Sequence, residues 1–226
     1  MLDLFLFVGF PYIAIALAIA VGIYRYFSDR FSYSSLSTQF LENNKLFWGS
    51  ISWHYGILLI LLAHLTAFLL PDLHLAVVGG PLRAVVLEVT GWALAMYSLF
   101  GLVLLAIRRL SDTRVAVTSN LADWLLLLSL IVQVALGLYV AVFYSWGGLW
   151  FTQTASSWLW SLFTLRPDIS YVQTMPWAVK LHFFMAFVII LLFPFTRLVH
   201  VFTVPITYLW RPYQVVIWVR KSVRGV

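Results

Sequence analysis

Five long apolar stretches are separated by shorter polar or basic connections along this chain, at roughly Leu4–Tyr24, Leu46–Leu70, Val89–Ile107, Trp124–Phe143 and Trp177–Thr203. A helix needs about 20 mainly apolar residues to cross a hydrocarbon core about 30 Å thick. Strands of a membrane barrel would alternate apolar and polar residues over about ten positions, and none of these runs alternates. The pattern predicts an all-α fold: a polytopic membrane bundle of about five transmembrane helices, forming one domain over residues 1–226 with a short tail from about residue 206. Ser119 or Asn120 is placed to cap the fourth helix, with Asp123 in its first turn where the helix dipole favours an anion. Pro205 lies just past the fifth. The connection from Ser145 to Pro176 holds Trp146, Trp150, Trp158, Trp160 and Phe163. It is too aromatic for a solvated loop and is expected to lie in the membrane interface as short helical pieces.

Composition agrees with a lipid solvent. Of 226 residues, 63% are hydrophobic and only 10% charged, where a soluble domain carries about 25% charged residues. The formal charge of +6 does not read as a nucleic-acid surface, because the basic residues sit singly or in pairs at the ends of apolar runs. Arg25, Arg30, Lys45, Arg108, Arg109, Arg114, Arg197, Arg211, Arg220, Lys221 and Arg224 fall at one set of ends, and only Arg83, Arg166 and Lys180 at the other. The positive-inside rule then puts the N-terminus outside and the C-terminus in the cytoplasm. A cleaved signal peptide would begin with positive charge; here Asp3 precedes the first run and arginines follow it, so that run is expected to be a retained helix. There is no cysteine, which excludes thiolate-held iron–sulfur clusters and covalently attached heme within the chain.

The chemistry lies in the histidines. Four of the five fall inside predicted spans: His54 and His64 on the second, His182 and His200 on the fifth. An ionisable ring in hydrocarbon is costly and marks a functional site unless a neighbouring helix satisfies it. The two helices run in opposite senses, so the topology sets His64 opposite His182 nearer the outside and His54 opposite His200 nearer the cytoplasm. Each pair can give two imidazoles to one heme iron, filling both axial positions, which suits electron transfer and leaves no site for a substrate. In a continuous helix the step from His182 to His200 is five whole turns of about 3.6 residues, and His54 and His64 lie about 80° apart. The rise, about 15 Å on one helix and about 27 Å on the other, has to be reconciled by tilt, side-chain reach and a kink expected at Pro194. A di-iron or zinc site would want ligands at i, i+3 or i+4 with carboxylates, a pattern the spans lack. His74, beyond Pro71, reads as an interfacial histidine. Arg109 and Arg197 are either partners of the inner heme's propionates or ordinary cations of the inner face.

The whole chain resembles the gamma subunits of the respiratory nitrate reductases. The resemblance is carried by Pro11–Ala14, the His54 and His64 pair, Arg108–Val115, the run Leu181–His200 and the step Val204–Leu209. It implies that His64 and His182 bind a distal heme b and His54 and His200 a proximal one, the pairing that topology gives on its own. It implies a subunit of the cell inner membrane that oxidises quinol near the outer face and sends electrons inward to an iron–sulfur beta subunit, with nitrate reduced by a molybdenum-containing alpha subunit. Inward transfer runs against the membrane potential at about 2.3 kcal/mol per charge per 100 mV, so the inner heme is expected to have the higher potential. Where the family has a lysine before its third helix this chain has Arg83, a permanently charged donor that cannot act as a base. Arg83 would then orient a quinol oxygen beside His64, with Glu88 or water taking the proton; otherwise Arg83 anchors the helix at the interface. Two other readings remain at this stage: the cytochrome of a different reductase, acting on sulfur compounds or linked to heterodisulfides, or a transporter whose histidines relay protons. Transporters usually show repeated halves and broken helices; no repeat is visible here.

Overall fold

The computed structural model describes residues 1–33, 38, 40–203 and 210. Every regular element among them is helical: α1 (Leu2–Ser28), α2 (Asn44–Leu69), α3 (Pro71–Val78), α4 (Pro81–Ser111), α5 (Thr113–Val117), α6 (Leu121–Phe143), α7 (Gly147–Gln153), α8 (Ala155–Phe163), α9 (Ser170–Gln173) and α10 (Trp177–Leu192). A 3-10 turn, Arg30–Ser32, follows α1, and two more follow α10, Phe193–Phe195 and Arg197–Thr203. Five of the helices are long and apolar enough to cross a membrane, the last counted through Phe195. The chain is thus a multi-pass membrane protein. Pro205, the step Val204–Leu209 and the basic residues Arg211, Arg220, Lys221 and Arg224 lie outside the described residues.

Neighbouring spans pack in a row: α2 on α4, α4 on α6, α6 on α10, and α10 on α1. Small residues set the closest approach, since lipid supplies no hydrophobic drive between helices and association relies on tight contact. Gly49, Ser52 and Gly56 share one face of α2 and meet Ser98, Gly101 and Leu105 of α4. A Cβ on Gly101 would stand 2.7 Å from the Gly49 carbonyl and 2.5 Å from the Trp53 nitrogen. The long runs of Leu, Ile and Phe on the other faces are exposed in the isolated chain, as lipid-facing surfaces must be.

Boundaries follow local chemistry. Asn120 caps α6 in a capping box with Asp123, so of the two expected caps Asn120 is the one used. The third span begins earlier than its apolar run, because Gly80 and Pro81 start a helix that carries Arg83 and Glu88 within it. The eight-residue α3 has no counterpart in the sequence reading.

Two prolines interrupt intrahelical hydrogen bonds, and at the first a distant side chain repairs the break. Pro11 has no N–H for the carbonyl of Phe7, where α1 carries a π turn over Phe5–Gly9. The indole N–H of Trp158 donates to that carbonyl at 3.0 Å. Trp158 is only 2% exposed and stacks on Phe183, ring centres 5.4 Å apart. The segment 145–176 does form short helices, as expected, and α8 carries Trp158 into the bundle while Trp160 and Phe163 stay exposed. Pro194 ends α10. Thr196 is extended, at φ −120° and ψ −178°, and the chain resumes as a 3-10 turn. The expected continuous helix to Thr203, and the five-turn phase relation drawn from it, therefore does not hold. The break does more than the kink expected at Pro194, and it resets the direction in which His200 is presented.

Candidate functional site

His54 and His64 project from α2 towards His182 on α10 and His200 on the 3-10 turn beyond it. The two histidine-bearing helices are not among the principal packed pairs; α2 lies along α4, and α10 along α6 and α1. Their backbones stay apart, and side chains bridge the interval. At the arginine-rich end the rings of His54 and His200 have centres 6.1 Å apart and planes at 74°. At the opposite end lie His64 on α2 and His182 on α10. The structure thus brings His54 and His200 together, as topology led one to expect.

Tautomers can be read from the hydrogen bonds, since a carbonyl oxygen can only accept. His54 Nδ1–H donates to Ser50 O at 2.7 Å, His64 Nδ1–H to Ile60 O at 2.9 Å, and His200 Nδ1–H to Arg197 O at 2.7 Å. Each neutral ring is left with its lone pair on Nε2, the arrangement by which a second partner orients a metal-binding imidazole. His182 Nδ1 is buried without a hydrogen bond, turned towards the Gln133 backbone. Its ring lies against Gly137, where a Cβ would come within 2.9 Å of Cε1. Only a glycine leaves room for that ring.

These residues fit a bis-imidazole iron site. A nitrogen ligand sits about 2 Å from a first-row metal and each ring centre about 1 Å further back, so paired axial imidazoles have centres about 6 Å apart. The His54–His200 pair has that spacing, and its ligating atoms would be imidazole nitrogens of two half-buried rings.

His74 differs from the four. It is 9% exposed, and its Nε2–H donates to Gly148 O at 3.1 Å and ties α3 to α7. That bond engages Nε2, whereas the bonds described for His54, His64 and His200 engage Nδ1. One turn along α7, the ring of Phe151 meets His64 edge-on at 5.3 Å. Glu88 accepts the backbone N–H of Trp146 at 2.9 Å, where Trp146 takes a left-handed φ of 65°. Arg83 is exposed, with its guanidinium folded back over Gly80.

Arg109 and Arg197 converge on Asp123, a residue the sequence marked only as a helix-start anion. Arg197 binds it through two nitrogens, Nε to Oδ1 at 2.7 Å and Nη2 to Oδ2 at 2.9 Å. Arg109 Nη1 stands 3.4 Å from Oδ2, and its guanidinium is 5.7 Å from the Trp124 ring centre. Both are therefore held by Asp123, which is 4% exposed. Arg108 is buried too, bonding Glu42 Oε2 at 2.8 Å and the carbonyls of Thr38 and Glu42. Two clefts, of about 360 Å³ beside Arg25 and about 240 Å³ beside Tyr33, are lined by no histidine.

Residues 3–219 match the family described as nitrate reductase gamma subunit. The chain is similar to the nitrate reductase gamma chain of Bacillus subtilis, 34% identical over 219 residues, covering 91% of this chain and 93% of that one. It is also similar to the respiratory nitrate reductase 1 gamma chain of Escherichia coli, 32% identical over 219 residues and covering 95% and 97%. A nitrate reductase-like protein of Mycobacterium tuberculosis is 29% identical over 211 residues, which are 90% of this chain but 32% of that longer protein.

Proposed function

The chain belongs to the nitrate reductase gamma subunit family, and from that premise we propose that it is a membrane cytochrome b which oxidises quinol and delivers the electrons to iron–sulfur and molybdenum subunits that reduce nitrate. The observation that carries the reading is the His54–His200 pair, with ring centres 6.1 Å apart and both Nδ1–H groups held by backbone carbonyls. Two b hemes, when bound, supply reversible one-electron iron chemistry. His54 and His200 hold the proximal one, His64 and His182 the distal one. The carbonyl partners of His54, His64 and His200 hold Nδ1–H and leave the ring's other nitrogen to face the iron.

Quinol would approach from the bilayer beside His64. Arg83 swings from Gly80 to orient a quinol oxygen. Glu88, one of whose oxygens accepts the Trp146 N–H, offers the other to the departing proton. With no cysteine in the chain, the iron–sulfur acceptor belongs to a partner. The cluster of Arg25, Arg108, Arg109 and Arg197 at one end of the bundle supports an orientation with that end on the cytoplasmic side of the inner membrane, where those partners would dock.

The test is a reduced-minus-oxidised spectrum of membranes bearing the chain, with heme counted per polypeptide. Two b-type hemes per chain are expected, together with copurifying subunits that contain molybdenum and iron–sulfur clusters. A chain without b-type bands is no cytochrome. Hemes with a different copurifying reductase would keep the cytochrome and replace the acceptor.

A further inference from the structure

We propose that Arg25 is a positioning residue for the proximal histidine pair: it braces the helix break that presents His200 to His54. The inference rests on the cytochrome reading for its consequence, though the brace itself is read from contacts in the chain.

In a continuous helix the Pro194 carbonyl would accept the N–H of Leu198. Here Leu198 N–H turns instead to the Thr196 hydroxyl oxygen, at 3.4 Å. Thr196 is extended, so its carbonyl also leaves the helical ladder. A membrane-embedded break persists only where other groups satisfy the freed backbone. Arg25, in the last turn of α1, does so: its Nη1 donates to Pro194 O at 2.8 Å and to Thr196 O at 3.1 Å. Nε and Nη2 donate to the Ser32 hydroxyl at 2.9 Å and the Ser32 carbonyl at 2.6 Å, which anchors the guanidinium from behind. A cation serving only topology would point to the headgroups; this one points at the backbone of another helix.

The segment is pinned again one residue later. Arg197 is clamped by Asp123, and the Arg197 carbonyl receives the Nδ1–H of His200. Arg25 therefore sets where the 3-10 turn begins, Asp123 sets its rotation, and the imidazole follows. A planar fork with several donors is needed to reach two carbonyls and Ser32 at once; the single ammonium of lysine cannot do this.

The experiment uses the assembled complex, carrying Arg25→Ala, Arg25→Lys or Arg25→Gln. It reads the low-spin heme signals by electron paramagnetic resonance, heme content per chain, and hydrogen exchange over residues 193–203. Arg25→Ala is expected to shift or abolish the proximal signal, leave the distal one unchanged, and quicken exchange across the segment. Arg25→Lys should restore it only in part. If Arg25→Ala does not assemble, Arg25→Gln, which keeps one donor, is read in the same way. An unchanged proximal signal in the assembled variant overturns the proposal, as does an equal disturbance of both signals. Absence of heme from the unaltered chain would instead remove the cytochrome reading, while the exchange measurement still tests the brace.

Discussion

The imidazoles of His54 and His200 face each other with ring centres 6.1 Å apart, although the helices that carry them are not packed together. Side chains that meet across separated backbones have one purpose if an iron joins them and none if they merely fill space. His54→Ala or His200→Ala is therefore expected to remove one heme of two and to spare the other, as counted by a pyridine hemochrome assay. Retention of both hemes in either variant would contradict the pairing.

Gly137 gives the corresponding prediction for the distal pair. A methyl group there would meet His182 Cε1 at 2.9 Å, closer than van der Waals contact allows, so the ring or α6 must move. Gly137→Ala should cost about 1–3 kcal/mol, the usual range for overpacking. It should also perturb the distal heme signal selectively, because His182 is displaced while His54 and His200 are untouched. Thermal unfolding in detergent and the two resonance signals, recorded on one sample, decide it.

Asp123 joins α6 to Arg197 and Arg109, and its side chain is 3% exposed. Removing one member of a buried ion pair leaves the other charge uncompensated, typically at about 3–5 kcal/mol. Asp123→Ala strands two guanidiniums and half of the capping box, so a loss near the upper part of that range is expected in denaturant unfolding. Asp123→Asn keeps the cap and should lose less. Equal stability of the two variants would mean that the ion pairs, not the cap, account for the loss, whereas an asparagine variant as stable as the unaltered chain would assign it to the cap.

Much of this architecture could be read from the chain because its signals are local and repeated. Five apolar runs specify five spans, and ionisable rings in hydrocarbon stand out singly. His54, His64, His182 and His200 needed no tertiary information beyond the alternation of helix direction. What escaped was non-local. Nothing near Phe7 shows that an indole from α8 will bond its carbonyl, and nothing near Pro194 shows that Arg25 will cap the break. Pro11 does mark the Phe7 carbonyl as needing a donor, without showing its supplier, whereas the Pro194 and Thr196 carbonyls lose their donors only because Thr196 is extended. Asp123 looked like a helix-start anion because its arginine partners lie on other helices. The five-turn relation of His182 to His200 failed for a plain reason: it assumed unbroken helical phase across a proline.

Arg83 tests the quinol assignment. With the guanidinium lying over Gly80, Arg83 serves the site only if a ligand draws it towards His64. Arg83→Ala should lower quinol-dependent heme reduction at least tenfold and weaken quinone-analogue binding, with heme content unchanged. Arg83→Lys should retain part of the rate. An alanine variant with the original reduction rate would leave Arg83 as an interface anchor.

The last prediction concerns pH at the arginine-rich end. Burial works to raise the Glu42 carboxyl, but the Lys45 N–H, the Arg108 guanidinium and the Leu46 N–H together hold it below its ordinary value of 4.5. A carboxyl depressed in the folded state stabilises that state fully above its ordinary value, and the contribution is lost as pH falls through the lower, folded value. Glu42 lies in the connection before α2 and, with Thr38, is what Arg108 holds. Acid should therefore release this connection below about pH 4.5 while the apolar spans, which carry few carboxylates, stay formed. Limited proteolysis or hydrogen exchange around Thr38–Lys45 across that window would show it. Glu42→Gln should open the connection at every pH and flatten the profile. If the wild-type connection is equally protected at pH 3 and pH 6, the Glu42–Arg108 pair contributes nothing to its attachment.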